Sequence, residues 1–107
     1  MKPLRYHVLL ALAQGALHGA EIRRRVEEDS AGAITLYPAQ LYGTLDELAA
    51  DGWIREEAPD EVRAEQTRWR FYALTRAGKR ALEVETGRLQ RVLGRARSAL
   101  ANMNKAR

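Results

Sequence analysis

Residues 38–54 leave the chain few ways to fold. Pro38 suits the first turn of a helix, because its missing N–H would be unpaired there anyway. Leu41, Leu45 and Leu48 follow at helical spacing and form one apolar stripe. Gly52 supplies a stop, and residues 53–57 read as a strand. A short helix with a single apolar stripe must be covered by other elements, so residues 38–51 predict a core on one side and a free surface on the other.

The flanking sequence supplies the cover. Pro3 opens a first helix of about ten residues carrying Leu4, Val8, Leu9 and Leu12. Residues 14–19 break it, and a second helix turns Ile22 and Val26 inward with Arg23, Arg24 and Arg25 mostly outward. Residues 33–37 form a short apolar link, extended because it leads into Pro38. After a charged tip at residues 58–67, a second strand covers residues 68–74. There Arg68 and Arg70 share one face with Tyr72 and Leu74, while Trp69 and Phe71 take the other, so this strand should be covered on both sides. From Thr75, a plausible N-cap, the chain reads as helix to about Met103. The order predicts a mainly α fold with a small β-ribbon: a winged helix-turn-helix over residues 1–74 and a long C-terminal dimerisation helix over 75–107.

Composition narrows the function. Of 107 residues, 46% are hydrophobic and 30% charged, which is globular composition for one domain. No cysteine is present, which excludes disulfides and thiolate metal sites. Two histidines make a transition-metal site improbable. No phosphate-loop, nucleophile-elbow or metalloprotease motif occurs, so neither an enzyme nor a cofactor is expected. With no signal peptide or membrane span, a cytoplasmic protein is expected. The net charge of +4 is lopsided: residues 75–107 carry nine basic and two acidic side chains, and residues 1–74 carry nine basic and twelve acidic ones. The half expected to touch DNA is therefore slightly acidic.

Three pieces in order carry a family resemblance: Leu17-His18-Gly19, then Leu41-Tyr42-Gly43-Thr44-Leu45 with Leu48 and Gly52-Trp53-Ile54, then Phe71-Tyr72 with Leu74-Thr75 and Gly78. Over about residues 4–82 the chain resembles the PadR-like family. The resemblance implies a bacterial or archaeal winged-helix transcription factor, usually a repressor, acting as a homodimer through a C-terminal helix. This chain departs from the pattern in carrying Asp46 and Glu47 where many members have a basic residue. Its wing tip is also acidic, with Asp60, Glu61 and Glu65 around a lone Arg63.

On the third helix, Gln40, Gly43, Thr44 and Glu47 fall at helical spacing away from the leucines, as either a reading face or an ordinary solvated one. Glutamine can bond adenine through two atoms, threonine can bond a base or pack a thymine methyl, and Gly43 permits close backbone approach. Tyr42 either packs or reaches a phosphate, and Tyr37 has the same choice. Arg68 and Arg70 either contact phosphates or pair with Glu56, Glu57 or Glu65 across the hairpin. Arg23, Arg24 and Arg25 either grip a phosphate or answer Glu21, Glu27 and Glu28 along their helix. Trp69 reads as core or interface packing before it reads as the wall of an effector pocket. His18 reads as a turn or packing residue and His7 as a surface or satisfied one. The expected DNA-contacting set is Tyr37, Gln40, Tyr42, Gly43, Thr44, Arg63, Arg68 and Arg70.

Along residues 75–103, Leu82, Leu89, Ala96 and Met103 recur every seven residues, with Val92, Leu93, Ala99 and Leu100 widening the stripe. One short chain has little surface to cover it, so Leu82, Leu89, Val92, Leu93, Ala96, Leu100 and Met103 are expected at a homodimer interface. The resulting expectation is a dimeric repressor on operator DNA, released by a small-molecule effector. The rival is a winged-helix protein-interaction module that hardly binds DNA, and a third possibility keeps DNA binding but uses the basic C-terminal helix for phosphate contact.

Overall fold

The computed structural model describes residues 1–57 and 70–105. Its elements run α1 (Pro3–Ala11), β1 (Leu17–His18), α2 (Gly19–Asp29), α3 (Pro38–Ala50), β2 (Ile54–Glu57), β3 (Phe71–Leu74) and α4 (Arg76–Lys105). Val8, Leu9 and Ala11 of α1, with Leu12 at its C-cap, meet Ile22 and Val26 of α2 and Leu41, Leu45 and Leu48 of α3 in one buried core. Leu36, on the link into α3, is fully buried there too. Burial of each large aliphatic side chain contributes about 1.5–3 kcal/mol, and this cluster holds the three helices together. Among the described residues no helix is long and apolar enough to cross a membrane.

The strands form an antiparallel sheet in the order β1-β3-β2. Ile54 pairs with Leu74 and Glu56 with Tyr72 in the ribbon, while Leu17 pairs with Tyr72 and His18 with Phe71 on the other edge. The sequence marks residues 14–19 only as a break; β1, which begins within them, is the element it does not reveal. The two residues of β1 make β3 the central strand, and Phe71, Tyr72 and Ala73 are all buried, as expected from the apolar run on both faces.

Local chemistry sets the helix ends. The His18 imidazole accepts from the Glu21 N–H at 3.4 Å, capping α2. Its ring also meets Phe71 edge-on at 5.5 Å, so this histidine has the turn and packing role expected of it. His7 differs from expectation, because its Nδ1 is buried without a hydrogen-bond partner. At the end of α3, Gly52 takes φ +78°, the Trp53 N–H donates to the Leu48 carbonyl and the Gly52 N–H to the Ala49 carbonyl. These two bonds close the helix and aim the chain into β2.

α4 starts from that same corner. The Thr75 hydroxyl donates to the Gly52 carbonyl at 2.6 Å and accepts from the Gly78 N–H at 3.0 Å, which makes Thr75 the N-cap. The Thr75 N–H donates to the Trp53 carbonyl at 3.1 Å. Gly78 lies so close to that carbonyl that a Cβ built on it would stand 1.9 Å from the oxygen. Farther along α4, the Thr86 hydroxyl donates to the Leu82 carbonyl and accepts from the Tyr6 hydroxyl of α1, each at 2.8 Å. Glu85 is 7% exposed, a carboxylate in an otherwise apolar contact. Arg88 donates to it twice at 2.8 Å, and the N-terminal ammonium of Met1 lies 3.5 Å away. The Arg88 guanidinium chiefly, with help from that ammonium, draws the Glu85 carboxyl down from 4.5 to about 2 against the opposing effect of burial.

These contacts make the α4 root sensitive to substitution and to acid. Gly78→Ala should destabilise the fold by about 1–3 kcal/mol or more, because backbone must move to admit the methyl group. Gly94→Ala, whose Cβ meets nothing within 4 Å, should stabilise it by about 1 kcal/mol through helix propensity. Thermal melts of both variants check the pair, and equal shifts of the same sign would contradict it. The response to acid centres on Glu85. A carboxyl with a depressed folded value stabilises the fold above its ordinary value and loses that contribution as pH falls. The melting temperature should therefore drop more steeply from pH 4.5 towards pH 2 in the native chain than in Glu85→Gln. Parallel pH curves for the two chains would contradict this.

Candidate nucleic-acid interface

With its leucines in the core, α3 turns the rest of its surface outward. Ala39, Gln40, Tyr42, Gly43, Asp46 and Glu47 are exposed. Gln40 has a second task, because its Oε1 accepts from the Tyr37 N–H at 3.3 Å and so closes the first turn of α3. The amide nitrogen of Gln40 is left to donate outward. Tyr37 is 62% exposed at the entrance of the helix. No atom lies within 4 Å of a Cβ built on Gly43, so this glycine opens the surface rather than admitting a neighbour.

Thr44 corrects the expected face. It is 8% exposed, because it stands three residues after Leu41 and four before Leu48 and therefore shares their side of the helix. The outward face is Gln40, Gly43 and Glu47, with Tyr42 along one flank. Tyr42 is 46% exposed and leans on the start of α2; its hydroxyl lies 2.9 Å from where a Cβ on Gly19 would stand. Gly19 is therefore what lets the phenol settle against the start of α2.

The base of the ribbon lies beside this face. Arg70 is exposed and pairs with Glu56 at 3.4 Å, the cross-hairpin pairing that is one of its two expected roles. A hydrogen bond with the Tyr72 hydroxyl, then the charges of Glu56 and of Asp46 on α3, hold the Arg70 guanidinium above its ordinary value. Burial pushes the Tyr72 phenol up, against the pull of Arg70. In the sequence Tyr72 reads as an apolar strand residue; the alternation along residues 68–74 puts it on the face of Arg70 but does not mark its hydroxyl as a partner. Arg63, Arg68 and Trp69 lie outside the described residues.

On α2, Arg23 pairs with Glu27 at 3.6 Å and Arg24 with Glu28 at 2.9 Å, so both answer the acids of their own helix. Arg5 of α1 stacks over the Trp53 ring at 5.0 Å and pairs with Asp51. These arginines carry positive charge that is already balanced locally.

The residues expected to pair two copies divide in two. Leu82, the first of the stripe, packs half-buried against its own chain's core. Leu89, Val92, Leu93, Ala96, Leu100 and Met103 are exposed, with Val92 at 51% and Met103 at 66%. The face of α4 that is buried at Gly78 and Glu85 thus continues along the helix uncovered. Beside its first turns, an open cleft of about 380 Å³ is lined by Met1, Arg5, Trp53, Ala81, Val84 and Glu85.

A helix turned outward beside a ribbon, on a core of three helices, is the arrangement of winged-helix DNA-binding proteins. The description "Transcriptional regulator PadR-like family" matches residues 8–84. The chain belongs to the PadR-like family. A PadR family transcription regulator from Clostridium difficile is similar in structure at a TM-score of 0.78 and 20% identity, covering 92% of this chain and 99% of that one. Bacillus subtilis PadR in complex with operator DNA is similar at a TM-score of 0.65 and 25% identity, covering 79% of this chain and 47% of that one. An uncharacterized 37.1 kDa protein in transposon TN4556 of Streptomyces fradiae is 41% identical over 88 residues, or 82% of this chain. The chain spans only 23% of that relative's length. This PadR-like chain has the winged-helix fold of the family, and α3 and the ribbon stand where the family resemblance puts them.

Proposed function

We propose that this chain is a sequence-specific repressor that acts as a homodimer in the cytoplasm and presents α3 of each copy to the major groove of an operator. The observation that carries the reading is the free outward face of α3: Gln40, Gly43 and Glu47 project from a helix whose other side is locked in the core. Recognition helices read bases with their N-terminal half, which puts Gln40 and Gly43 at the deepest contact and Glu47 outside it. Tyr37 and Tyr42 flank that end with phenols suited to phosphate oxygens. Thr44 is buried and serves the helix rather than the bases. Arg63, Arg68 and Arg70 of the ribbon are proposed to meet the backbone, where the bond with Glu56 must open before Arg70 can do so.

The uncovered stripe of Leu89, Val92, Leu93, Ala96, Leu100 and Met103 supports pairing of two copies through α4. Half-sites would then lie about one helical turn apart, near 34–36 Å. A small molecule seated in the cleft between Arg5, Trp53 and Val84 would press on the root of α4 and alter that spacing, which is the release mechanism we favour. A second reading, a protein-interaction module, draws support from the acidic balance of residues 1–74 and from the neutralisation of Arg70 by Glu56.

Gel shifts on the upstream region of its own gene, against a scrambled duplex, test the first reading. The variants must separate readout from capping. Gln40→Ala loses the cap bond, worth about 1 kcal/mol, whereas Gln40→Glu keeps the acceptor, loses the outward N–H donors and adds a negative charge that weakens cognate and scrambled binding alike, so the readout is the ratio of the two affinities. Gln40→Glu should therefore melt near the native temperature and lose about 1–3 kcal/mol of preference for the cognate site. Unchanged preference in both variants would hand the lead to the interaction module. Leu93→Asp should give monomers by light scattering and a lower melting temperature. A native chain that is already monomeric at micromolar concentration would remove the dimer from the proposal.

A further inference from the structure

Most arginines of the winged-helix body already face carboxylates, whereas those of the outer half of α4 do not. Arg5, Arg23, Arg24, Arg55 and Arg70 each form an ion pair with a described acid. Beyond Glu85, the described part of α4 contains no acidic residue at all. Arg91, Arg95 and Arg97 are exposed, and none of them meets a carboxylate among the described residues. Among the described residues, most of the unpaired arginine charge therefore lies on the longest helix.

Position on the helix matters as much as charge. Arg88, Arg91 and Arg95 follow an i, i+3, i+7 spacing and form one ridge. The apolar stripe of Leu89, Val92, Leu93, Ala96 and Leu100 runs along a neighbouring face, roughly a third of a turn away by helical periodicity. Covering the stripe with a second copy would leave Arg91 and Arg95 in solvent, and a dimer would carry the ridge twice. α4 is docked on α1 and β3 through its inner turns.

We propose that the arginine ridge of α4 is a second DNA-binding surface, one that grips the phosphate backbone of duplex DNA without reading sequence. The residue chemistry favours phosphate. Guanidinium groups bind phosphate oxygens through two parallel N–H bonds, and a chain of this family already operates on DNA. Residues 1–74 carry a negative balance and their described arginines are mostly paired, so they are poorly equipped to supply the non-specific part of the affinity. The ridge supplies it, and α3 is left to discriminate. An anionic membrane surface is the other polyanion that a basic amphipathic helix can meet. It would need the apolar stripe free, whereas a second copy would cover it.

The test measures affinity for a short duplex of scrambled sequence by fluorescence polarisation over roughly 50–200 mM salt. Three full-length chains are compared: native, Arg91→Gln with Arg95→Gln, and Arg23→Gln with Arg24→Gln as a charge-matched control on already paired residues. Circular dichroism and light scattering first establish that fold and oligomeric state match. The α4 variant should bind the scrambled duplex more weakly, and its slope of log K against log salt should fall by about 0.9 for each phosphate it no longer neutralises. The control should stay near the native slope. A native slope in the α4 variant, or an equal fall in the control, overturns the proposal. So does a loss of binding to phosphatidylserine–phosphatidylcholine vesicles in the α4 variant while its duplex affinity is unchanged. The result is separable from the reading of α3: loss of cognate preference in Gln40→Glu tests that reading alone, and the ridge stands or falls on the scrambled duplex.

Discussion

The Trp53 carbonyl is the point on which the arrangement of the molecule turns. It accepts the Thr75 N–H at the end of the ribbon, and the backbone of Gly78 passes so close that no side chain fits between them. The carbonyl belongs to the corner that Gly52 creates at the end of α3, and Thr75 ties itself to Gly52 as well. Three elements thus share one joint: the helix proposed to read DNA, the ribbon beside it and the helix proposed to join two copies. A hydrogen bond of this kind contributes only about 0.5–1.5 kcal/mol net. Its importance is geometric, because it leaves α4 a single direction in which to depart.

Much of this is legible in the chain, and the reasons are particular. The leucines of α3 announce their stripe, Gly52 its corner and Thr75 its cap, since each rests on local periodicity or turn chemistry. The run Phe71-Tyr72-Ala73-Leu74 announces a strand covered on both faces, although not the element that covers one edge. β1 has two residues, too few for alternation to show. Thr44 misleads because its hydroxyl suggests a polar face, while its spacing from Leu41 and Leu48 puts it inside. Glu85 escapes notice for a different reason: a lone glutamate between apolar positions gives no sign of being buried, since only the docking of α1 and the neighbouring Arg88 make that tolerable. The bond between Gln40 and Tyr37 likewise needs the helix start in three dimensions.

Electrostatics divides the chain in a way that its net charge conceals. In the body, most of the described arginines are paired along helices and across the ribbon, and exposed pairs of that sort add little stability. Their effect is to cancel field near α3. Along outer α4 the field is uncancelled. On the proposed reading, affinity and discrimination need not come from the same surface, and the chemistry of Gln40 would count for more of the difference between one site and another.

The length of α4 has a mechanical consequence. From Gly78 to Lys105 the helix is about 40 Å long at 1.5 Å per residue, so it works as a lever whose fulcrum is the Trp53 carbonyl. A tilt of about 5° there displaces the far end by about 3–4 Å, roughly the rise of one base step along a duplex. Repacking around Arg5 and Trp53 too slight to disturb the core would be magnified at the other end. In the proposed dimer, selection could then retune the gap between the two copies of α3 through the residues at the fulcrum, without touching α3 itself.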